Sequence, residues 1–127
     1  MEKAGQAATG PAAMSKWNGW YPGRGDVVSA RMESGTRQPA LVVSPAAYSE
    51  TTGFALVCPV SATPTGYPFE VAVPPGLEGC SVVLADRVVS LHVRTWGLVR
   101  IGRLEEHVVL AVLARIATLV GAPDGVS

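Results

Sequence analysis

The chain has 127 residues, enough for one hydrophobic core and too few for two. Its 48% hydrophobic and 16% charged residues mark a folding globular chain and exclude a disordered polyelectrolyte. Ten Lys plus Arg balance ten Asp plus Glu, and this net charge of zero excludes a broad electrostatic coating of nucleic acid or of an anionic membrane.

A local basic groove stays open, because the cations are mostly arginines: Arg24, Arg31, Arg37, Arg87, Arg94, Arg100, Arg103 and Arg115. Arginine suits planar recognition of phosphates and bases. Cys58 and Cys80 lie in apolar, strand-like runs and are expected as buried thiols of a reducing compartment. His92 and His107 stand alone, with no Cys-x-x-Cys and no His-x-x-x-His, so no metal site and no cofactor are expected. Residues 1–13 lack the continuous apolar stretch of a signal peptide. The run from Val108 to Val120 is interrupted by Arg115 and is shorter than a bilayer span, so a cytoplasmic protein without a membrane partner is expected.

In chain order, residues 1–19 read as a disordered or weakly ordered extension, 20–121 as one barrel domain and 122–127 as a short flexible tail. Met14 offers an alternative translation start. Trp20-Tyr21-Pro22-Gly23-Arg24-Gly25 anchors the entry to a first strand over Asp26 to Arg31. A polar connection leads to a second strand, Pro39 to Val43, in an antiparallel hairpin with the first. Ser44-Pro45 then predicts a helical turn or two with Ser44 as N-cap, ended by Thr51-Thr52-Gly53.

Phe54 to Val60 is apolar throughout and predicts a central third strand. Phe69 to Val73 alternates as the fourth, Ser81 to Ala85 is the fifth, and Val88 to Leu91 continues the fifth or starts a sixth. Leu98 to Ile101 adds another. From Leu104 to Val120 the apolar residues Val109, Val112, Leu113, Ile116, Leu119 and Val120 recur at helical spacing, with Glu105 and Glu106 at the positive N-terminal end and Gly121 past the other. The whole predicts a mainly β, α+β fold: a small, partly open barrel with one C-terminal helix.

Several blocks then carry a resemblance. They are Pro22-Gly23-Arg24-Gly25-Asp26, Pro39-Ala40-Leu41-Val42-Val43-Ser44-Pro45, Tyr48, Pro59-Val60-Ser61, Gly66-Tyr67-Pro68-Phe69-Glu70-Val71, Leu84-Ala85-Asp86-Arg87-Val88 and Ser90-Leu91. Their order resembles the MazF/PemK family of toxin endoribonucleases, of CcdB/MazF/PemK-like, SH3-like barrel fold, from about residue 20 to the C-terminal helix. The resemblance implies a metal-free ribonuclease that cuts single-stranded RNA by attack of the ribose 2′-hydroxyl, leaving a 2′,3′-cyclic phosphate and a 5′-hydroxyl. It also implies a homodimer and a cognate antitoxin, with DNA met only indirectly through that antitoxin.

Such chemistry needs proton movement at the 2′-hydroxyl and the leaving oxygen, and a donor to the charged phosphorane. The family places a Thr or Ser two residues after the third-strand Pro, matched here by Ser61. It places an Arg directly before the second-strand Pro, where this chain has Gln38. Arg37, one residue earlier, points to the opposite face of a regular strand unless a bulge re-aims it. The catalytic candidates are therefore Ser61, Arg37 and Gln38.

The connection between the first two strands is shorter than in familiar members, and Glu33 stands where the family often has an acidic loop residue. In the loop after the third strand, Thr63 and Thr65 are RNA-binding candidates, Thr65 standing where the family often has a Lys. Asp86 is a candidate acceptor from a base amine, with a structural ion pair to Arg87 or Arg94 as the other reading. Arg94 and Trp96 are candidates for holding and stacking an unpaired base, with core or dimer packing as the other reading of Trp96. Tyr67 is expected to pack in the barrel. His92 and His107 are expected as surface or satisfied core histidines.

Two function classes follow. The first is a toxin endoribonuclease. The second is a binding module of the same fold, either a catalytically weakened homologue that holds RNA or antitoxin, or a gyrase-directed inhibitor.

Overall fold

The computed structural model describes residues 20–121. The expected N-terminal extension, the alternative start at Met14 and the C-terminal tail lie outside the described residues. Seven strands and two helices follow one another: β1 (Asp26–Arg31), β2 (Arg37–Val42), α1 (Ala46–Thr52), β3 (Phe54–Ser61), β4 (Glu70–Ala72), β5 (Val82–Leu84), β6 (Val89–His92), β7 (Val99–Arg103) and α2 (Glu106–Val120). Every pairing is antiparallel.

The hydrogen-bonded path runs β4-β5-β3-β2-β1-β7, and β6 adds to β3. Strand β3 is the spine. One edge pairs with β2 from Val57 to Pro59; the other pairs with β6 from Phe54 to Val57 and with β5 at Val60 and Ser61. Pro59, which has no N–H to give, stands in the gap between those two partners.

The path is open, ending at β4 and β7. Side chains bridge what hydrogen bonds do not. The Leu77 side chain, in the loop after β4, sits on the Cα of Gly102 in β7, so closely that a Cβ there would meet Leu77 Cδ2 at 2.7 Å.

Both faces of the sheet are buried, which is why β1, β2 and β3 read as nearly continuous apolar runs. Val27, Leu41, Cys58 and Val60 face α2, whose Val108, Val109 and Val112 complete the main core with Val71, Val83, Ala85 and Leu104. Val28, Ala30, Ala40, Val42, Ala55 and Val57 face the other way, under Val93, Leu98, Trp96 and Trp20. Both cysteines are buried and free. Burial, and secondarily the charge of Asp86, pushes the Cys58 thiol up to about 12.

The sequence blocks set the corners. Asp26 is buried, takes Arg103 Nη1 at 2.6 Å and the Gly23 N–H at 2.9 Å, and so ties the Gly-Arg-Gly turn to the end of β7. Gly25 has φ +98°, and a Cβ there would meet Arg103 Nη2 at 2.9 Å.

Two features differ from expectation for local reasons. Strand β2 begins at Arg37 because Arg37 and Gln38 still pair with Arg31 and Ala30. Ser44 does not cap α1: Pro45 occupies the cap, and the buried Ser44 hydroxyl accepts the Leu56 N–H at 3.0 Å instead. Of the two readings of Val88–Leu91, the separate sixth strand is the one the structure has, as Val89–His92 paired with β3. Among the described residues no helix is long and apolar enough to cross a membrane.

Candidate active site

The site lies where β2 begins and β3 ends. Ala40 and Pro59 are the last pair of β2 and β3, and continuing that register by two residues toward the open end sets Gln38 opposite Ser61. Alternation puts both on one face, the face of Ala40 and Val57. Gln38 is exposed and Ser61 half-buried.

Ser61 is presented by its own turn. Its Oγ accepts the Thr63 N–H at 3.1 Å, which fixes the side chain while leaving the hydroxyl proton to donate. Thr63 thus acts first through its backbone.

Arg37 goes the other way. Pairs from Val27↔Leu41 to Arg31↔Arg37 run without a register shift, so no bulge re-aims it. Its Nε donates to Ser29 Oγ at 2.6 Å and its Nη2 to Ser29 O at 3.0 Å and to Gly97 O. Gln38 and Ser61 therefore share a face at the end of the β2–β3 pairing, and Arg37 is held on the opposite one.

The loop that follows is built around Glu70. Its carboxylate accepts the Thr65 hydroxyl at 2.7 Å and the N–H groups of Thr65 and Gly66, and these bonds, led by the Thr65 hydroxyl, hold it below the usual glutamate range. Thr65 is thereby a strut of the loop. Glu70 was legible only as part of the Gly-Tyr-Pro-Phe-Glu-Val block, with no signal for the clamp.

Tyr67 does not pack in the barrel: it is 48% exposed, and its hydroxyl donates to Asp86 Oδ2 at 3.1 Å. That bond, and then the charge of Asp86, raises the Tyr67 phenol. Asp86 Oδ1 is closed to solvent and has no hydrogen-bond partner, leaving an acceptor beside the Tyr67 loop.

The remaining candidates stand apart. Glu33 is exposed on the β1–β2 loop, which is closed by Met32 N–H to Thr36 O at 2.8 Å. Trp96 is half-buried against the second core cluster. Arg94 lines a cleft of about 370 Å³ with Tyr21, Glu50 and His92, which Ser61, Gln38 and Asp86 do not line. His92 is satisfied, its Nδ1 accepting the Thr95 N–H at 3.2 Å. Among the described residues no three His, Cys, Asp or Glu side chains gather as a metal cage.

An antiparallel sheet backed by one C-terminal helix, with Gln38 and Ser61 on one face at the end of the β2–β3 pairing, defines a small, mainly β domain. The chain belongs to the family of PemK-like, MazF-like toxins of type II toxin–antitoxin systems, whose model matches residues 23–120. It is 32% identical over 108 residues to the endoribonuclease toxin MazF of Escherichia coli (strain K12), covering 80% of this chain and 96% of that protein. The MazE–MazF crystal structure (Form-I) from Deinococcus radiodurans superposes with a TM-score of 0.76 at 37% identity, covering 81% of this chain and 99% of that one. A mycobacterial endoribonuclease in complex with its cognate antitoxin gives 0.69 at 25% identity, over 80% and 97%.

Proposed function

We propose that this toxin is a metal-independent endoribonuclease that cuts single-stranded mRNA in the cytoplasm. The observation that carries the reading is that Gln38 and Ser61 share a face at the end of the β2–β3 pairing, with the Ser61 hydroxyl proton left to donate. The names of the similar proteins support it, as endoribonucleases and as partners of antitoxins.

In this reading the 2′-hydroxyl attacks phosphorus, the O2′–P bond forms and the P–O5′ bond breaks. Ser61 donates to a non-bridging oxygen as charge develops there. The Gln38 amide donates to the same phosphate but carries no useful acid or base near neutral pH, so the 2′-hydroxyl proton leaves to water and the 5′-oxygen takes one from it. Asp86 accepts from a base amine, with Thr63 and Thr65 as RNA contacts in the loop after Ser61; Glu33, Arg94 and Trp96, which stand apart from Ser61, contact more distant parts of the strand. The working unit is a homodimer held inactive by its cognate antitoxin, which alone brings it near DNA.

A second reading, a weakened homologue that binds RNA or antitoxin without cutting, is favoured by one observation: Arg37 is turned from the Gln38–Ser61 face. Incubation of the purified chain with a long single-stranded RNA in EDTA separates the two. Discrete fragments with 5′-hydroxyl ends support cleavage; intact RNA beside folded protein rules it out.

A further inference from the structure

Arg31 and Arg37 stand directly opposite each other across β1 and β2, both exposed. Like charges placed face to face on a sheet are unfavourable, and among the described residues neither forms an ion pair with a carboxylate. Their guanidinium groups instead converge on one residue. Arg37 Nη2 donates to Gly97 O, and Arg31 Nη2 lies 3.4 Å from where a Cβ on Gly97 would sit. Gly97, at φ +56°, lets the Arg31 plane lie against the backbone.

Arg37 is already fixed before any ligand arrives. Its Nε and Nη2 are committed to Ser29 and Gly97, so the Nη1 edge of the fork is the part left to bind. Two unneutralised forks over one glycine are complementary to a single tetrahedral dianion or monoanion.

We infer that Arg31, Arg37 and Gly97 form a phosphate subsite that anchors one backbone phosphate of the RNA away from the one cleaved. This rests on the ribonuclease reading. Arg37 and Gln38 are consecutive and point to opposite faces at the start of β2, so an RNA strand that wraps the open end of the sheet meets the subsite on one face and Gln38 on the other. An acidic segment of a protein partner would meet the same forks, but the evenly repeated phosphates of an RNA backbone can engage the forks while another part of the strand lies at Ser61.

The test is equilibrium binding of the full chain to a single-stranded RNA oligonucleotide with 2′-O-methyl riboses, which lacks the nucleophile and is not cut, across a salt series. For single strands the slope of log K against log salt is about 0.7 per phosphate neutralised. Arg31→Gln and Arg37→Gln are each expected to weaken binding about tenfold at low salt, similarly for all sequences, and to reduce the slope by about 0.7. Gly97→Ala, which displaces Arg31, is expected to do the same. Ser61→Ala removes no charge and keeps the slope.

If the wild-type chain binds this RNA and the arginine variants keep its slope, the subsite is overturned while the ribonuclease reading stands. If the wild-type chain binds no RNA, that reading falls and the subsite with it. Arginine variants that fail to bind an acidic antitoxin peptide yet keep the RNA slope assign the pair to the protein partner and overturn the proposal. Both arginines are exposed, so their replacement is not expected to unfold the chain.

Discussion

Arg103 Nη1 lies 2.6 Å from Asp26 Oδ1, joining the first residue of β1 to the last of β7 across 77 positions of sequence. Asp26 is 3% exposed, so removing its partner leaves a buried carboxylate with a weakened cage. Arg103→Ala is expected to cost about 2 kcal/mol in chemical denaturation. Arg103→Lys keeps the charge but loses the bond to Arg24 O and should fall between. An unchanged midpoint for Arg103→Ala would refute the role given to this pair.

Gly102→Ala forces a Cβ into the Leu77 side chain. About 1–3 kcal/mol of destabilisation is expected, the usual range for overpacking. Truncating Leu77 to Ala in the same chain should remove the clash, so the two changes together cost less than their sum. Simple additivity in that double-mutant cycle would show that β7 is not held to the β4–β5 loop by this contact.

Ser61→Ala should slow RNA cleavage roughly 100-fold or more, as for loss of one transition-state donor, with little change in RNA affinity. Gln38→Arg places a permanent charge opposite Ser61 and should raise the cleavage rate about tenfold or more. Single-turnover rates at saturating RNA read both. An unchanged rate for Ser61→Ala or for Gln38→Arg removes that residue from the chemistry.

The loop over residues 65–67 should depend on pH through Glu70. Its folded pKa is lowered, so its contribution is present above the ordinary glutamate value of about 4.5 and is lost as pH falls through the lowered one. Glu70→Gln should therefore melt below the wild type near neutral pH, and the gap should close on acidification below that ordinary value. A gap that is constant with pH would mean that the carboxylate charge does not hold Thr65 and Gly66.

Much of this was legible in the chain because the signals are local. The β-branched runs gave the strands, the helical period gave α2, and strict alternation placed Arg37 opposite to Gln38. What was not legible depends on partners far apart in sequence. Nothing in Ser44-Pro45 says that the hydroxyl serves Leu56 rather than the helix, nor does a lone Leu77 announce Gly102. The phosphate subsite was missed for the same reason: Arg31, Arg37 and Gly97 have no shared spacing, and only the β1–β2 register with the turn before β7 makes them neighbours.

Because β3 is paired along both edges, split between β6 and β5 on one side and bound to β2 on the other, its central amides have no route to solvent short of opening the whole sheet. Hydrogen exchange should be slowest at Leu56 to Cys58 and fast in β4 and β7, each paired on one side only. Ser61 stands at the end of that strand, so the hydroxyl assigned to the chemistry is mounted on the element expected to open last, while Tyr67 and Asp86 are carried by the loops around β4 and β5, which are expected to open first.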